Sequence, residues 1–232
     1  MLELWIGNKN YSSWSLRPWV AMRAAGVPFT ERLVPFHDHA AWAEYRAKHP
    51  SGLVPLLVDG NTEVWESLAI VEYIAERAPG LWPEDRAARA FARSAAAEMH
   101  AGFAALREVC GMNCGVRARV RALPATVTRD LARLAGLWRS GLDRFGGPFL
   151  AGARFSAADA FFCPVAFRVQ TYGLALPDPE AAAYAARLLD VPAMREWYVA
   201  ACAETFRDPP HETELAQHCI LIEDLRAAET AP

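Results

Sequence analysis

Lysine is nearly absent from this chain: among 232 residues carrying 24 basic side chains, only Lys9 and Lys48 are lysines. The arginine excess reads as coding bias rather than function. Acidic residues number 27 and the formal charge is −3, so neither nucleic acid nor a membrane surface is expected as a partner. No run of about 18 apolar residues occurs, which excludes a transmembrane helix. The first residues lack the basic start and apolar core of a signal peptide, so a cytoplasmic setting is expected. The five cysteines all lie at Cys110 or later. An odd number at irregular positions is no disulfide framework, and the N-terminal part is left without a redox thiol. Cys110 and Cys114 have no second pair nearby, and His211, His218 and Cys219 in the tail do not complete a zinc pattern. No metal is expected.

What is present is a change of pattern near residue 78. Before it, short strand patterns alternate with helical ones. Leu2–Ile6 reads as a strand, Pro18–Ala25 as a helix with proline in its opening turn, and Phe29–Pro35 as a second strand. Residues 40–48 form a helical or irregular piece leading to a turn at His49–Gly52. Two apolar runs flank Asp59-Gly60 as an antiparallel hairpin, and Glu66-Ser67 opens a helix from Leu68 to Arg77. The order is βαβαββα over residues 1–78. A Pro- and Gly-rich linker occupies 79–86, and the strand signals then stop. Residues 87–232 read as an all-helical domain with a tail from Asp208. Its helices are expected at Ala87–Cys110, Ala125–Arg144, Ser156–Tyr172, Pro179–Leu189 and Pro192–Phe206. Ser156 and Asp159 form a capping-box pattern, and the apolar helix behind them is expected at the centre of the core. His218–Ile222 is apolar enough to pack back onto the body. Trp14, Trp19 and Trp65 are expected to pack the first domain, and Arg117, Arg119 and Arg121 to form a solvated face.

Three places carry chemistry. Tyr11-Ser12-Ser13-Trp14-Ser15 joins the first strand to the first helix, and a hydroxyl-rich turn at a helix start is a ready anion site. Both serines equally fit the role of helix caps. Val54-Pro55 starts a strand where proline lacks a ladder donor, which is best explained by a cis bond with the preceding backbone turned toward a ligand. Glu66-Ser67 sits at a helix N-terminus suited to a carboxylate, or to a plain cap.

With these motifs, and with Phe155-Ser156-Ala157-Ala158-Asp159 in the helical part, the sequence resembles the cytosolic glutathione transferase family over nearly its whole length. The serine turn is most similar to the zeta and theta-like classes and their bacterial relatives. The resemblance implies a thioredoxin-like N-terminal domain, an all-α C-terminal domain, glutathione as co-substrate, a small electrophile as acceptor, and a homodimer. It implies that Ser12, with Ser13 as close second, stabilises the glutathione thiolate. Val54 and Pro55 would present backbone to the peptide, while Glu66 and Ser67 would hold the γ-glutamyl group. Trp14, Met99, His100 and Phe103 would border the acceptor pocket. Where many relatives carry a basic or polar residue before Val-Pro, this chain has Leu53; His37, His39, Lys48 or His49 would substitute. The alternatives are a glutathione-dependent isomerase or dehalogenase, and a non-catalytic binding domain of the same fold. Trp14 stands where the zeta pattern has cysteine, which counts against the isomerase.

Overall fold

The computed structural model describes residues 1–49 and 51–228; Pro50 of the expected turn and positions 229–232 of the tail lie outside the described residues. The N-terminal part is a four-stranded sheet flanked by helices. Strand β1 (Leu2–Ile6) leads through a loop to helix α1 (Ser13–Ala24), then to β2 (Thr30–Leu33) and α2 (His39–Lys48). Strands β3 (Leu56–Asp59) and β4 (Thr62–Trp65) form a hairpin before α3 (Ser67–Ala75). The sheet order is β2-β1-β3-β4, with β1 parallel to β2 and antiparallel to β3. The hairpin turns on Gly60, whose φ of 61° suits a residue without Cβ. This is the expected thioredoxin-like arrangement.

Helix α1 starts five residues before the expected position, so Pro18 lies inside it rather than in its first turn. The Ser12 hydroxyl accepts from the Ser15 N–H, and the Ser12 carbonyl accepts from Leu16. These bonds form the first turn ahead of the proline.

The C-terminal part is helical: α4 (Arg86–Ala101), α5 (Ala104–Val109), then α6 (Ala125–Phe145) and α7 (Ala157–Tyr172), and after them α8 (Pro179–Asp190), α9 (Pro192–Ala203) and α10 (Pro209–His218). The single helix expected over 87–110 is two. A Cβ on Gly102 would meet the Glu98 carbonyl at 2.8 Å, and Phe103 takes a left-handed conformation (φ 58°), which re-aims the chain. Helix α7 is buried on most sides, as expected, and its capping box forms. Asp159 there accepts from Leu150 N, Ser156 N and the Tyr184 hydroxyl at 2.7–3.0 Å.

The helical part also contains a two-stranded sheet that the hydropathy pattern did not show. Strand β5 (Val116–Val120) pairs antiparallel with β6 (Cys219–Asp224). The tail therefore returns to the body, but through a backbone ladder: Ile220, Leu221 and Ile222 are exposed rather than packed. Trp65 likewise is 55% exposed on the edge strand β4, contrary to its expected role in the first core.

One apolar cluster runs through both parts. Trp19 of α1 meets Trp197 of α9 edge to face at 5.1 Å, and the Trp197 indole N–H donates to the Lys9 carbonyl at 2.9 Å. Trp197→Ala removes a fully buried indole and leaves that carbonyl only the Cys114 thiol as donor, at 3.7 Å. A loss of about 3–5 kcal/mol of unfolding free energy is expected, read from urea denaturation; a loss under about 1 kcal/mol would show that the two parts do not depend on this contact.

Candidate functional site

The loop between β1 and α1 brings Tyr11, Ser12, Ser13 and Trp14 to a cleft between the two parts of the molecule. The cleft has two lobes that share Trp14, Leu53 and Val54. The smaller, about 370 Å³, is bordered further by Pro55, Trp65, Glu66 and His100. The larger, about 710 Å³, holds Ser12 and Ser13 at one side, with Phe36 and Trp42 opposite α5 and α10. A separate cavity of about 1020 Å³, near Met1, Phe29, Arg77 and Arg154, contains none of the expected site residues.

The three hydroxyls of the turn are not equivalent. Ser12 is the helix cap and exchanges a hydrogen bond of 2.7 Å with the Ser15 hydroxyl, which itself accepts from the Gly7 N–H at 3.2 Å. Ser12 is the donor in that pair, so its proton is engaged with Ser15 and would have to turn from it to reach a ligand in the cleft. Ser13 has no side-chain hydrogen bond among the described residues; its hydroxyl is an unspent donor. Tyr11 borders the larger lobe, but its hydroxyl is engaged by the tail. Its hydroxyl donates to Glu212 at 2.7 Å and accepts from Arg226 and the Asp208 N–H. Burial, then the Glu212 carboxylate, pushes the phenol well above its ordinary range.

The Val54–Pro55 bond is cis, as expected. Among the described residues the Val54 backbone N–H and carbonyl make no hydrogen bond, so they face the cleft as an open strand edge. Glu66 adopts φ 67°, a conformation that side chains rarely take and that is commonly held at functional sites. Its carboxylate leaves the N-terminus of α3 uncapped, and lies 3.7 Å from His100 Nε2. Ser67 is buried at the first position of α3 and does not border the cleft; its hydroxyl accepts from Arg17 at 3.5 Å. Its backbone N–H nonetheless belongs to the uncapped turn.

Of the residues expected in the acceptor pocket, Trp14 and His100 reach the cleft. Met99 and Phe103 do not. Met99 points the other way on α4 into the core, and the break at Gly102 folds Phe103 into the same cluster. None of His37, His39, Lys48 and His49 borders the cleft. His49 is bound to Glu63 at 2.7 Å, Lys48 to Glu44, and His37 stacks on Phe206.

The cationic side chains at the cleft are arginines. Trp14 lies between Arg17 and Arg107, whose guanidinium carbons sit 4.1 and 4.3 Å from the ring centroid. Burial, then Arg17, holds His100 below its usual range, so it is neutral at pH 7. Arg107, Arg168 and His211 all border the larger lobe. Arg107 and Arg168 escaped sequence reasoning because Arg168 sits on a helix that reads as apolar on most sides and Arg107 near the end of an expected long helix, while His211 read only as part of an incomplete zinc pattern. The cysteines take no part. Burial pushes the Cys110 thiol up to about 12 and Cys114 well above its ordinary value, and among the described residues no cluster suited to a metal occurs.

Residues 11–77 match the family described as "Glutathione S-transferase, N-terminal domain". The chain is similar to the glutathione S-transferase-like protein OpS6 of Beauveria bassiana, at 26% identity over 209 residues covering 84% of this chain and 93% of that one. It is 46% identical to the dichloromethane dehalogenase of Methylorubrum extorquens over 56 residues, 23% of this chain and 19% of that protein. Among solved structures it resembles the theta class glutathione S-transferase of Xanthomonas axonopodis pv. citri, solved with glutathione bound. The TM-score is 0.62 at 29% identity, covering 85% of this chain and 96% of that one. The matched segment and the shared arrangement of sheet and helices agree: residues 11–77 form a glutathione S-transferase N-terminal domain, and the chain as a whole has the glutathione transferase fold.

Proposed function

We propose that the protein is a glutathione transferase that ionises the glutathione thiol at Ser12 and Ser13 and joins it to an electrophile in the larger lobe. The observation that supports this most is the convergence on one cleft of an open backbone edge at Val54, the uncapped start of α3, and hydroxyl donors at the start of α1. An extended peptide pairs with the first. The γ-glutamyl carboxylate suits the second, with Glu66 placed to receive the amine. The sulfur then falls to the third.

The magnitudes are sufficient. A thiol of pKa near 8.5 is only a few per cent ionised at pH 7, and lowering it by about 2 units takes roughly 2.7 kcal/mol. One hydrogen bond to a charged acceptor contributes about 1.5–3 kcal/mol and a helix N-terminus about 0.3–1. Burial of Arg17 and Arg168 beside the cleft adds positive potential of the right sign. No metal or buried base is needed. Attack on an alkyl halide is the same thiolate chemistry, and the local similarity to a dehalogenase favours testing haloalkanes beside aryl halides.

The thiolate assignment predicts that Ser13→Ala or Ser12→Ala raises the pKa of bound glutathione by about 1–2 units, read by thiolate absorbance against pH. Between the two, the free hydroxyl of Ser13 predicts the larger effect without loss of stability, since Ser12 also caps α1. If neither variant moves the titration, the serines are caps only. Glutathione at a hundredfold excess over Kd is expected to stabilise the fold by about 2.7 kcal/mol, roughly 5–10 °C in Tm. No shift at millimolar concentration would favour a binding domain with another ligand. The same reading includes a homodimer, for which exposed Trp65 at the sheet edge is suitable apolar surface; sedimentation at monomer mass across the micromolar range would remove that part alone.

A further inference from the structure

The larger lobe contains positive charge that the thiolate chemistry does not use. Arg168 is 3% exposed and lines this lobe. Its Nε donates to the Cys110 carbonyl at 2.8 Å and its Nη1 to the Pro164 carbonyl at 3.2 Å. Nη2 has no partner among the described residues, and no carboxylate lies within 4 Å of the guanidinium. Arg107 faces the same space from α5, donating only to the His100 carbonyl at 3.3 Å while its plane lies against Trp14. Among the described residues it too has no carboxylate partner. Removing a guanidinium from water without a counter-charge is unfavourable by several kcal/mol, and carbonyl acceptors offset only part of it.

The neighbouring charges do not supply the missing partner. Glu108 of α5 and Glu214 of α10 border the lobe but are exposed and form no ion pair with either arginine, and His211 is held by Asp208. The other walls are aromatic and apolar. Phe36 and Trp42 stack at 6.1 Å with nearly parallel planes, and Met112 closes the floor. A site with flat apolar walls and two guanidiniums at one end suits a planar body carrying one anionic group.

We infer that Arg107 and Arg168 form the anion-binding end of the acceptor subsite, which takes aromatic or conjugated electrophiles bearing a carboxylate. This rests on the transferase reading and adds the class of its acceptor. In the reaction that tests it, the glutathione sulfur bonds to the chlorine-bearing carbon of 4-chloro-3-nitrobenzoate. Chloride leaves with the bonding pair, and the thiol proton passes to solvent.

The subsite is tested by calorimetry with 3-nitrobenzoate and 3-nitrobenzamide, which differ only at the anionic group, with and without glutathione. The wild-type protein is expected to bind the carboxylate about tenfold more tightly than the amide, and Arg107→Gln to erase that preference without changing the Kd of glutathione. Arg107 is partly exposed and the variant is expected to fold; Arg168→Gln, which also loses two carbonyl bonds, is the second variant. Turnover of 4-chloro-3-nitrobenzoate and its amide, each divided by its spontaneous rate with glutathione, is expected to show the same tenfold preference and the same loss. Equal binding of the two nitrobenzoyl compounds by the wild type would overturn the inference. So would an Arg107→Gln variant that weakens glutathione instead, which would assign the arginines to the glycyl carboxylate. Carboxylate preference with no glutathione binding would uphold the subsite and overturn the transferase reading.

Discussion

The loop from Gly7 to Ser12 has no regular structure, yet it is buried, and every feature of the site depends on how its polar groups are satisfied. Asn8 and Asn10 are 3% and 1% exposed. The N–H groups of Lys9 and Asn10 donate to Glu204, the Asn10 side chain bonds Asn113 and the Gly115 N–H, and the Asn10 carbonyl accepts from Cys114. Each such group left unpaired in the interior would be unfavourable by about 1–3 kcal/mol. Nearly all these partners come from the helical part. The turn that carries the serines is therefore held from outside its own domain, and the thioredoxin-like sheet alone would not hold it.

That constraint decides which hydroxyl faces the cleft. Glu212, Asp208 and Arg226 capture the Tyr11 phenol from the tail side. With the phenol hydroxyl so engaged, the next residues enter α1, and Ser12 and Ser13 at its start border the cleft. The tail can do this only because β6 returns along β5, which places α10 over the loop. The two-stranded sheet thus contributes to the site without touching it. It is also the part least visible in hydropathy: Arg117 and Arg119 interrupt β5, and the apolar residues of β6 face solvent.

The N-terminal half was legible because its determinants are local. Alternating strands, Gly60 in the hairpin, the capping serine and the proline before β3 each act within a few residues. The capping box at Ser156 and Asp159 was legible for the same reason. What escaped was decided by distant contacts. The break after Ala101 follows from the Glu98 carbonyl crowding Gly102 and from Phe103 folding into the core, and no propensity announces it. Helical periodicity placed Met99 and His100 side by side, but only packing against α7 says which one turns inward. The replacement of a basic residue by Leu53 was visible, and the basic residues near it in sequence were the natural substitutes. None of those residues borders the cleft; the cations that do, Arg107 and Arg168, come from α5 and α7 and line the larger lobe.

If the arginines bind the acceptor's carboxylate, the cleft would select for charge without being a general anion trap. Arg107 and Arg168 disfavour the charge of Arg17, Arg107 disfavours that of Arg168, and burial lowers the Arg168 guanidinium to about 10. It remains charged at neutral pH, because that value is still about three units above it. Mutual repulsion means that an anion between them relieves an existing strain as well as gaining new bonds, so its advantage over a neutral ligand exceeds that at an isolated surface arginine. Glu108 and Glu214 at the exposed rim act in the opposite direction, repelling anions that do not reach the guanidiniums. A ligand gains only if it is long and flat enough to pass Phe36 and Trp42 and place its charge at the buried end. On the proposed reading, shape would admit the ligand and charge would retain it, with Ser12 and Ser13 bordering the same lobe.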